Sequence, residues 1–229
     1  MITLYQYEIS PFCDKVRRAC HLKRVPYTIV EVLPSKRNAH ASVSPTGKFP
    51  AIQHDGRTIV DSSDILAYLD QRFPKPLLQP ADPRAAAWST ILEDWADESL
   101  YFYDITMRNW PQNRAWFVDD LLRHERGLAK MILKPAIPGA LGKLARTQGL
   151  GRKSPATVTA DLTTLYDALE ALLTGGPYLA GDTLSRGDLS VFVMLFVLNR
   201  TVEAKALFEA RPGLQAWYGR VDAATAPPA

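Results

Sequence analysis

Cysteine is nearly absent from the 229 residues: Cys13 and Cys20 are the only two. They stand seven apart on what reads as a single helix, ~10 Å along its axis, which is too far for a disulfide within an intact helix. Only four histidines occur and they are scattered, so neither a disulfide framework nor a zinc site is expected. Two such thiols suit a reducing compartment. Long apolar runs are missing too. No stretch reaches the ~20 residues of a membrane helix, and Met1 leads directly into the strand-like Ile2-Thr3-Leu4-Tyr5 rather than into a charged and then apolar leader. The expectation is a cytoplasmic protein without a membrane partner. Charge of one sign is also lacking: 27 Lys and Arg face 24 Asp and Glu, a formal net charge of +3. Basic clusters at 15–24 and 143–153 are offset by acidic ones at 93–104 and 119–125. No dense basic face with stacking aromatics is present, so a nucleic-acid partner is not expected. The cationic clusters read as solvated helix faces or, in the sharper reading, as contacts for a small anion.

What is present is a 47% apolar chain, enough for an ordinary packed core. The first third alternates strand and helix signals. Ile2 to Tyr7 is strand-like, and Pro11 to Lys23 carries Phe12, Val16, Ala19 and Cys20 at helical spacing. Tyr27 to Val32 is rich in β-branched residues, and Ala51 to His54 and Thr58 to Val60 flank the turn pair Asp55-Gly56. A last helix is predicted over 62–72. This order builds a mixed four-stranded sheet with helices on both faces, an α+β thioredoxin-like domain over 1–73. Prolines at 74, 76, 80 and 83 mark a linker over 74–83. From Arg84 the pattern is wholly helical, with Trp88, Ile91, Leu92, Trp95, Ser99 and Phe102 along one face and further helices predicted at 113–134, 155–174, 187–199 and 212–222. Residues 84–229 are thus an all-α domain. The Pro- and Gly-rich stretch Pro135 to Lys153 reads as an irregular connection, and the tail Ala223 to Ala229 as a fraying end. Ser185 with Asp188 three residues later is a helix-start device ahead of the apolar run Leu189 to Leu198.

Several residues are candidates for chemistry. Ser10 fits the N-cap and Pro11 the first turn of a helix; in the same place a hydroxyl at the positive end of the helix donates to a bound thiolate. Cys13, at the third helical position, reads either as a packed small side chain or as a thiol acidified by the helix terminus. A cis Phe49-Pro50 bond would turn the backbone of Phe49 outward to pair with an extended, peptide-like ligand. Lys36, Arg37 and Lys48 are candidates for a ligand carboxylate. Asp61 caps the helix at 62–72, and it also suits an ammonium while Ser62 faces a carboxylate, the two groups of an amino-acid end.

With these residues assembled, the chain resembles a cytosolic-type glutathione S-transferase over nearly its whole length. Ser10-Pro11-Phe12-Cys13 together with 147–152 is similar to the divergent branch of that superfamily holding metaxin-like and failed-axon-connections-like proteins. The resemblance implies that Ser10 activates glutathione, that Phe49 pairs with its cysteinyl backbone beside a cis-proline, and that Asp61-Ser62 holds its γ-glutamyl end. It implies glutathione as co-substrate without a metal, a small hydrophobic electrophile as second substrate, and a homodimer. Tyr103, Met107 and Trp110, at spacings of four and three, are taken as the electrophile pocket. Two alternatives stand beside a transferase: a glutathione-dependent thiol-disulfide oxidoreductase using Cys13, and an interaction module that has kept the fold without the reaction.

Overall fold

The computed structural model describes residues 1–227. Strands β1 (Ile2–Gln6), β2 (Tyr27–Glu31), β3 (Ala51–His54) and β4 (Arg57–Val60) form one sheet in the order β2-β1-β3-β4. β1 runs parallel to β2, with Ile2 opposite Tyr27, and antiparallel to β3, with Leu4 opposite Ile52. The period of two in β1 sends Ile2 and Leu4 into the core under helices α1 (Pro11–Leu22) and α2 (Ser62–Arg72), where they meet Val16, Ala19, Ile65 and Leu69. Tyr5 and Tyr7 face the other way, toward Val32, Val43 and Ala51. There a short 3₁₀ helix, Pro34–His40, stands where the sheet's second face is covered. Asp55 and Gly56 both take positive φ, 49° and 73°, the backbone of the tight β3–β4 hairpin.

Residues 73–82 are not helical, yet they are clamped. The Asp70 carboxylate accepts the backbone N–H groups of Leu78 and Gln79, the Leu78 side chain is fully buried, and its carbonyl accepts from Arg186 N. The helical half follows: α3 (Pro83–Trp95), one π-turn over Ala96–Leu100, α4 (Tyr101–Met107), α5 (Arg114–Leu121), α6 (Gly127–Gln148), α7 (Pro155–Leu172), α8 (Arg186–Leu198), α9 (Val202–Glu209) and α10 (Pro212–Thr225). The centre of this half is α8, apolar all round and buried along nearly its entire length. Its start is the expected capping box, and Asp188 does more than cap. Its Oδ1 accepts Leu179 N and Trp217 Nε1, and its Oδ2 accepts the backbone N and the hydroxyl of Ser185. Gly187 is required there because a Cβ would lie 2.7 Å from the Ser89 carbonyl of α3.

Four expectations are corrected. Residues 135–148 belong to α6, which continues through Pro135 and Pro138. Each proline removes one helical hydrogen bond, but Leu133, Ile137 and Leu141, four apart, pack on Phe117, Val118 and Leu122 of the α5 region and hold the segment helical. The helix expected over 113–134 is instead two, broken between Leu121 and Gly127. Trp88 and Ile91 point outward, 40% and 57% exposed, because α3 turns Ser89, Leu92 and Glu93 inward, where Ser89 meets Gly187 and Glu93 meets a buried lysine. The tail does not fray from Ala223: α10 runs to Thr225, whose hydroxyl accepts from Arg18 Nη1 at 2.9 Å. Residues 228–229 of that tail lie outside the described residues. No described helix is long and apolar enough to cross a membrane.

Candidate functional site

The site grows from the turn between β1 and α1. Ser10 has extended backbone angles, φ −73° and ψ 125°, and its Oγ accepts from Cys13 N at 3.4 Å, so it is the N-cap of α1. A serine hydroxyl that accepts an N–H still has its own proton to donate. Ser10 is half-buried and lines a cleft of about 240 Å³. The donor, the positive helix terminus and an opening for a ligand therefore coincide.

Cys13 lies one turn deeper and is sealed. It is 0% exposed, packed with Val32, Val43, Phe49 and Ala51. Burial pushes its thiol up to about 11, and the Ser10 hydroxyl, the Tyr7 backbone and the Arg17 guanidinium offset this only in part. A thiol so placed is protonated at neutral pH and out of reach, which runs against Cys13 as a nucleophile. Cys20 is buried too, with its thiol raised to about 12 by desolvation.

The same packing sets the Phe49-Pro50 loop against the start of α1. The bond is cis, and Phe49 stands beyond Tyr5↔Ala51, the last residue pair of the β1–β3 ladder. The Phe49 ring makes edge contacts with Tyr7 at 5.6 Å and His40 at 6.3 Å. Tyr7 is a neighbour that sequence reasoning missed. The period of two in β1 puts it on the face opposite Leu4, but only the fold shows that this face ends at the cis-proline. Its phenol is raised by burial and drawn down by Arg37 nearby. Lys36 and Arg37 sit exposed on the 3₁₀ helix and Lys48 is exposed in the next loop. The Arg37 side chain passes over Gly47, so Arg37 and Lys48 form a cationic rim beside Phe49.

Asp61 and Ser62 open α2. The Asp61 carboxylate accepts Ser63 N at 2.9 Å, and its φ of 77° is a conformation that residues other than glycine seldom adopt. Such strain concentrates where a ligand has to be met. Asp61 is exposed and Ser62 is buried. Behind them lies an ionic knot joining both halves of the chain. Lys15 of α1 is fully buried and donates to Glu93 at 3.0 Å and Asp97 at 2.7 Å, and Ser63 donates to Glu93 at 2.8 Å. Arg186 Nε lies 2.9 Å from Glu93 Oε2, in ion-pair range though off the hydrogen-bond axis. Asp97 stands in the π-turn with Oδ1 buried and unpartnered among the described residues. Burial, reinforced by Glu93 and Asp61 against the pull of Lys15, raises its carboxyl to about 6.

Tyr103, Met107 and Trp110 are not brought to Ser10. Tyr103 and Met107, four apart on α4, are buried members of the main core, and Trp110, in the turn beyond the end of α4, packs against that core. The wall facing Ser10 is made instead by Ile9, by Asp120 and Arg123 at the end of α5, and by Phe196, Val197 and Arg200 at the end of α8. The segment after α5 straps the sheet's loops: Glu8 accepts from Arg123 at 3.0 Å and pairs with His124 at 2.8 Å, and Glu125 accepts Ser35 N and Oγ at 2.7 and 2.8 Å. The one sequence signal for this wall is Phe196, with Arg200 four residues on. Nothing linear joins positions 9, 123 and 200.

Comparison with known proteins agrees with this geometry. Residues 4–77 match the family model for the glutathione S-transferase N-terminal domain, and residues 139–220 that for its C-terminal domain. Glutathione S-transferase U6 of Arabidopsis thaliana is 33% identical over 93 residues, 40% of this chain and 42% of that protein, so the chain spans about two fifths of that relative's length. Glutathione S-transferase F13 of the same plant is 24% identical over 226 residues, 94% of this chain and 88% of that one. The crystal structure of a glutathione S-transferase from Rhodospirillum rubrum F11 has a TM-score of 0.69 at 22% identity, covering 97% of this chain and 88% of the other. Matched in both halves, in the same order along one chain, the protein belongs to the glutathione S-transferase superfamily.

Proposed function

We propose that the protein is a glutathione transferase in which the Ser10 hydroxyl donates to the glutathione thiolate. The observation that carries this reading is the contrast of Ser10 with Cys13: the hydroxyl caps α1 as an acceptor in a residue that lines an open cleft, and a capping hydroxyl retains a proton it can donate, while the neighbouring thiol is sealed and protonated. A free thiol near ~8.5 needs its pKa lowered by about two units, ~2.7 kcal/mol, to be largely ionised at neutral pH. One hydrogen bond to a charged group, about 1.5–3 kcal/mol, together with the helix terminus meets that requirement. The rest of glutathione is assigned to residues outside the lining of that cleft: its cysteinyl backbone to Phe49 beside Pro50, its γ-glutamyl ammonium and carboxylate to Asp61 and Ser62, and its glycyl carboxylate to Lys36, Arg37 and Lys48. The thiolate then attacks a small electrophile in the cleft between the thioredoxin-like domain (1–73) and the helical domain (84–229), which the linker 74–83 joins.

The same reading places the protein in the cytoplasm as a homodimer. The exposed Trp88 and Ile91 on the outer face of α3 are an apolar surface suited to a second subunit. An oxidoreductase working through Cys13 is disfavoured by that residue's burial. Calorimetric titration with glutathione is the direct test: micromolar-to-millimolar binding that Asp61→Ala abolishes is expected. Binding without turnover of any electrophile would point to an interaction module, and absence of binding would refute the site.

A further inference from the structure

We propose that the cleft beside Ser10 takes an electrophile bearing an anionic group, a carboxylate or sulfonate, held by Arg123 and Arg200 while its apolar body rests on Phe196 and Ile9. The inference rests on the transferase reading and replaces the uniformly hydrophobic substrate expected for the second site.

The cleft combines free donors with occupied acceptors. Three carboxylates line the cleft, Glu8, Asp14 and Asp120, and each oxygen of each is already engaged. Glu8 meets Arg123 and His124. Asp14 meets Arg17 through one oxygen and Arg18 through the other. Asp120 meets Arg123 at 3.0 Å and Arg200 at 2.5 Å. Although burial acts to raise the Asp120 carboxyl, its arginine partners prevail and hold it below its usual range, so it stays ionised and committed to them. A guanidinium has five N–H donors. Arg200 uses one of these on Asp120, and Arg123 uses two, one each on Glu8 and Asp120, among the described residues.

Geometry agrees with the count. Arg200 is braced by the Trp116 ring, 3.9 Å below its guanidinium, so it is positioned before any ligand arrives. Arg17 and Arg18 are 16% and 10% exposed and bound into the protein, whereas Arg123 and Arg200, at 53% and 39%, stand at the mouth. Phe196, 44% exposed, stands two residues before the end of the largely buried α8 and gives the cleft its apolar wall. A cavity of about 240 Å³ lies below the roughly 300–1,000 Å³ of pockets for larger ligands, so the electrophile is small.

The test compares 4-chloro-3,5-dinitrobenzoate with its methyl ester at saturating glutathione. In both, the sulfur–carbon bond forms at C4, the carbon–chlorine bond breaks, chloride leaves with the bonding pair, and the thiol proton passes to solvent. Each kcat/KM is divided by the uncatalysed rate constant with glutathione, which removes the difference in intrinsic reactivity. The carboxylate is expected to be preferred roughly tenfold, the weight of one charge-assisted hydrogen bond, and Arg200→Gln or Arg123→Gln to collapse that ratio. Equal or better use of the ester, or a ratio that neither variant moves, overturns the proposal. So does a rise in the KM for glutathione in the variants with the ratio intact, since the arginines would then serve glutathione itself. If neither compound is turned over, the glutathione titration judges the transferase reading separately, and calorimetry with 3,5-dinitrobenzoate and its methyl ester still decides the cleft: tighter binding of the anion, lost in Arg200→Gln, supports the proposal, and equal or absent binding ends it.

Discussion

Replacing Asp97 with asparagine should make the protein more stable at neutral pH, even though it removes one partner from a buried lysine. Asp97 Oδ2 lies 2.7 Å from Lys15 Nζ, an attraction that alone would argue for destabilisation. Burial and the nearby Glu93 and Asp61 outweigh it, and the carboxyl is raised from 3.8 to about 6. A carboxyl whose pKa is higher in the folded state binds its proton more tightly there. Its stabilising effect is therefore complete below pH ~3.8, declines as pH rises toward ~6, and above that the ionised form opposes folding by a constant amount. At ~1.36 kcal/mol per pKa unit that amount is about 3 kcal/mol. Asparagine removes it, and Lys15 keeps Glu93 and Ser63 as partners. The new amide N–H replaces an oxygen that has no hydrogen-bond partner among the described residues, which returns about 1 kcal/mol. The net expectation is a gain of about 2 kcal/mol at about pH 7.5, with the electrostatic part falling to about half by about pH 5. Urea unfolding followed by circular dichroism at both pH values measures it. An Asp97→Asn protein less stable than wild type at about pH 7.5, or differing by the same amount at both, would show that the Lys15 attraction wins and refute the reasoning.

Three further outcomes are expected. Ser10→Ala should lower kcat/KM about 100-fold through loss of the thiolate hydrogen bond and cost about 1 kcal/mol as a lost helix cap; steady-state kinetics and thermal melts on one preparation separate the two effects. Cys13→Ala should retain the transferase reaction while losing some packing, and the wild-type Cys13 thiol, raised to about 11 by burial, should resist iodoacetamide at neutral pH until the protein is unfolded; rapid alkylation of the native protein would contradict its placement. Asp188→Ala should destabilise by about 3 kcal/mol or more, because it leaves the Leu179 and Ser185 amides, the Ser185 hydroxyl and the Trp217 indole without their acceptor. Denaturant midpoints check it, and a change below about 1 kcal/mol would mean that water replaces the carboxylate.

Local rules carried the first 73 residues and one helix start beyond them. Period-two alternation in β1, Asp55-Gly56 at the hairpin, Ser10-Pro11 at a helix start and Ser185 with Asp188 are short-range devices whose physics is complete within a few residues, and each stands in the structure as read. Proline as a breaker is also a local rule, but it failed in α6, where tertiary packing of Leu133, Ile137 and Leu141 outweighed two missing hydrogen bonds. The outward turn of Trp88 has the same kind of cause, since hydrophobicity alone does not say which face of α3 meets Gly187 and Lys15. Likewise the spacing of Tyr103 and Met107 identifies a shared face without saying whether a core or a cavity lies against it, and spacing alone does not show that α4 ends before Trp110.

What near neighbours encode is therefore the order of strands and helices over residues 1–73, the serine-capped start of α1 and the cap of α2 at Asp61, because capping, turn chemistry and periodicity act over a few residues. Packing of the whole chain is what seals Cys13 and leaves Ser10 open, ties the two halves together through Lys15, and brings Arg123 and Arg200, just beyond α5 and α8 and 77 positions apart, to the cleft that Ser10 lines. Burial, desolvation and the meeting of distant side chains are properties of the packed chain, and no local pattern encodes them.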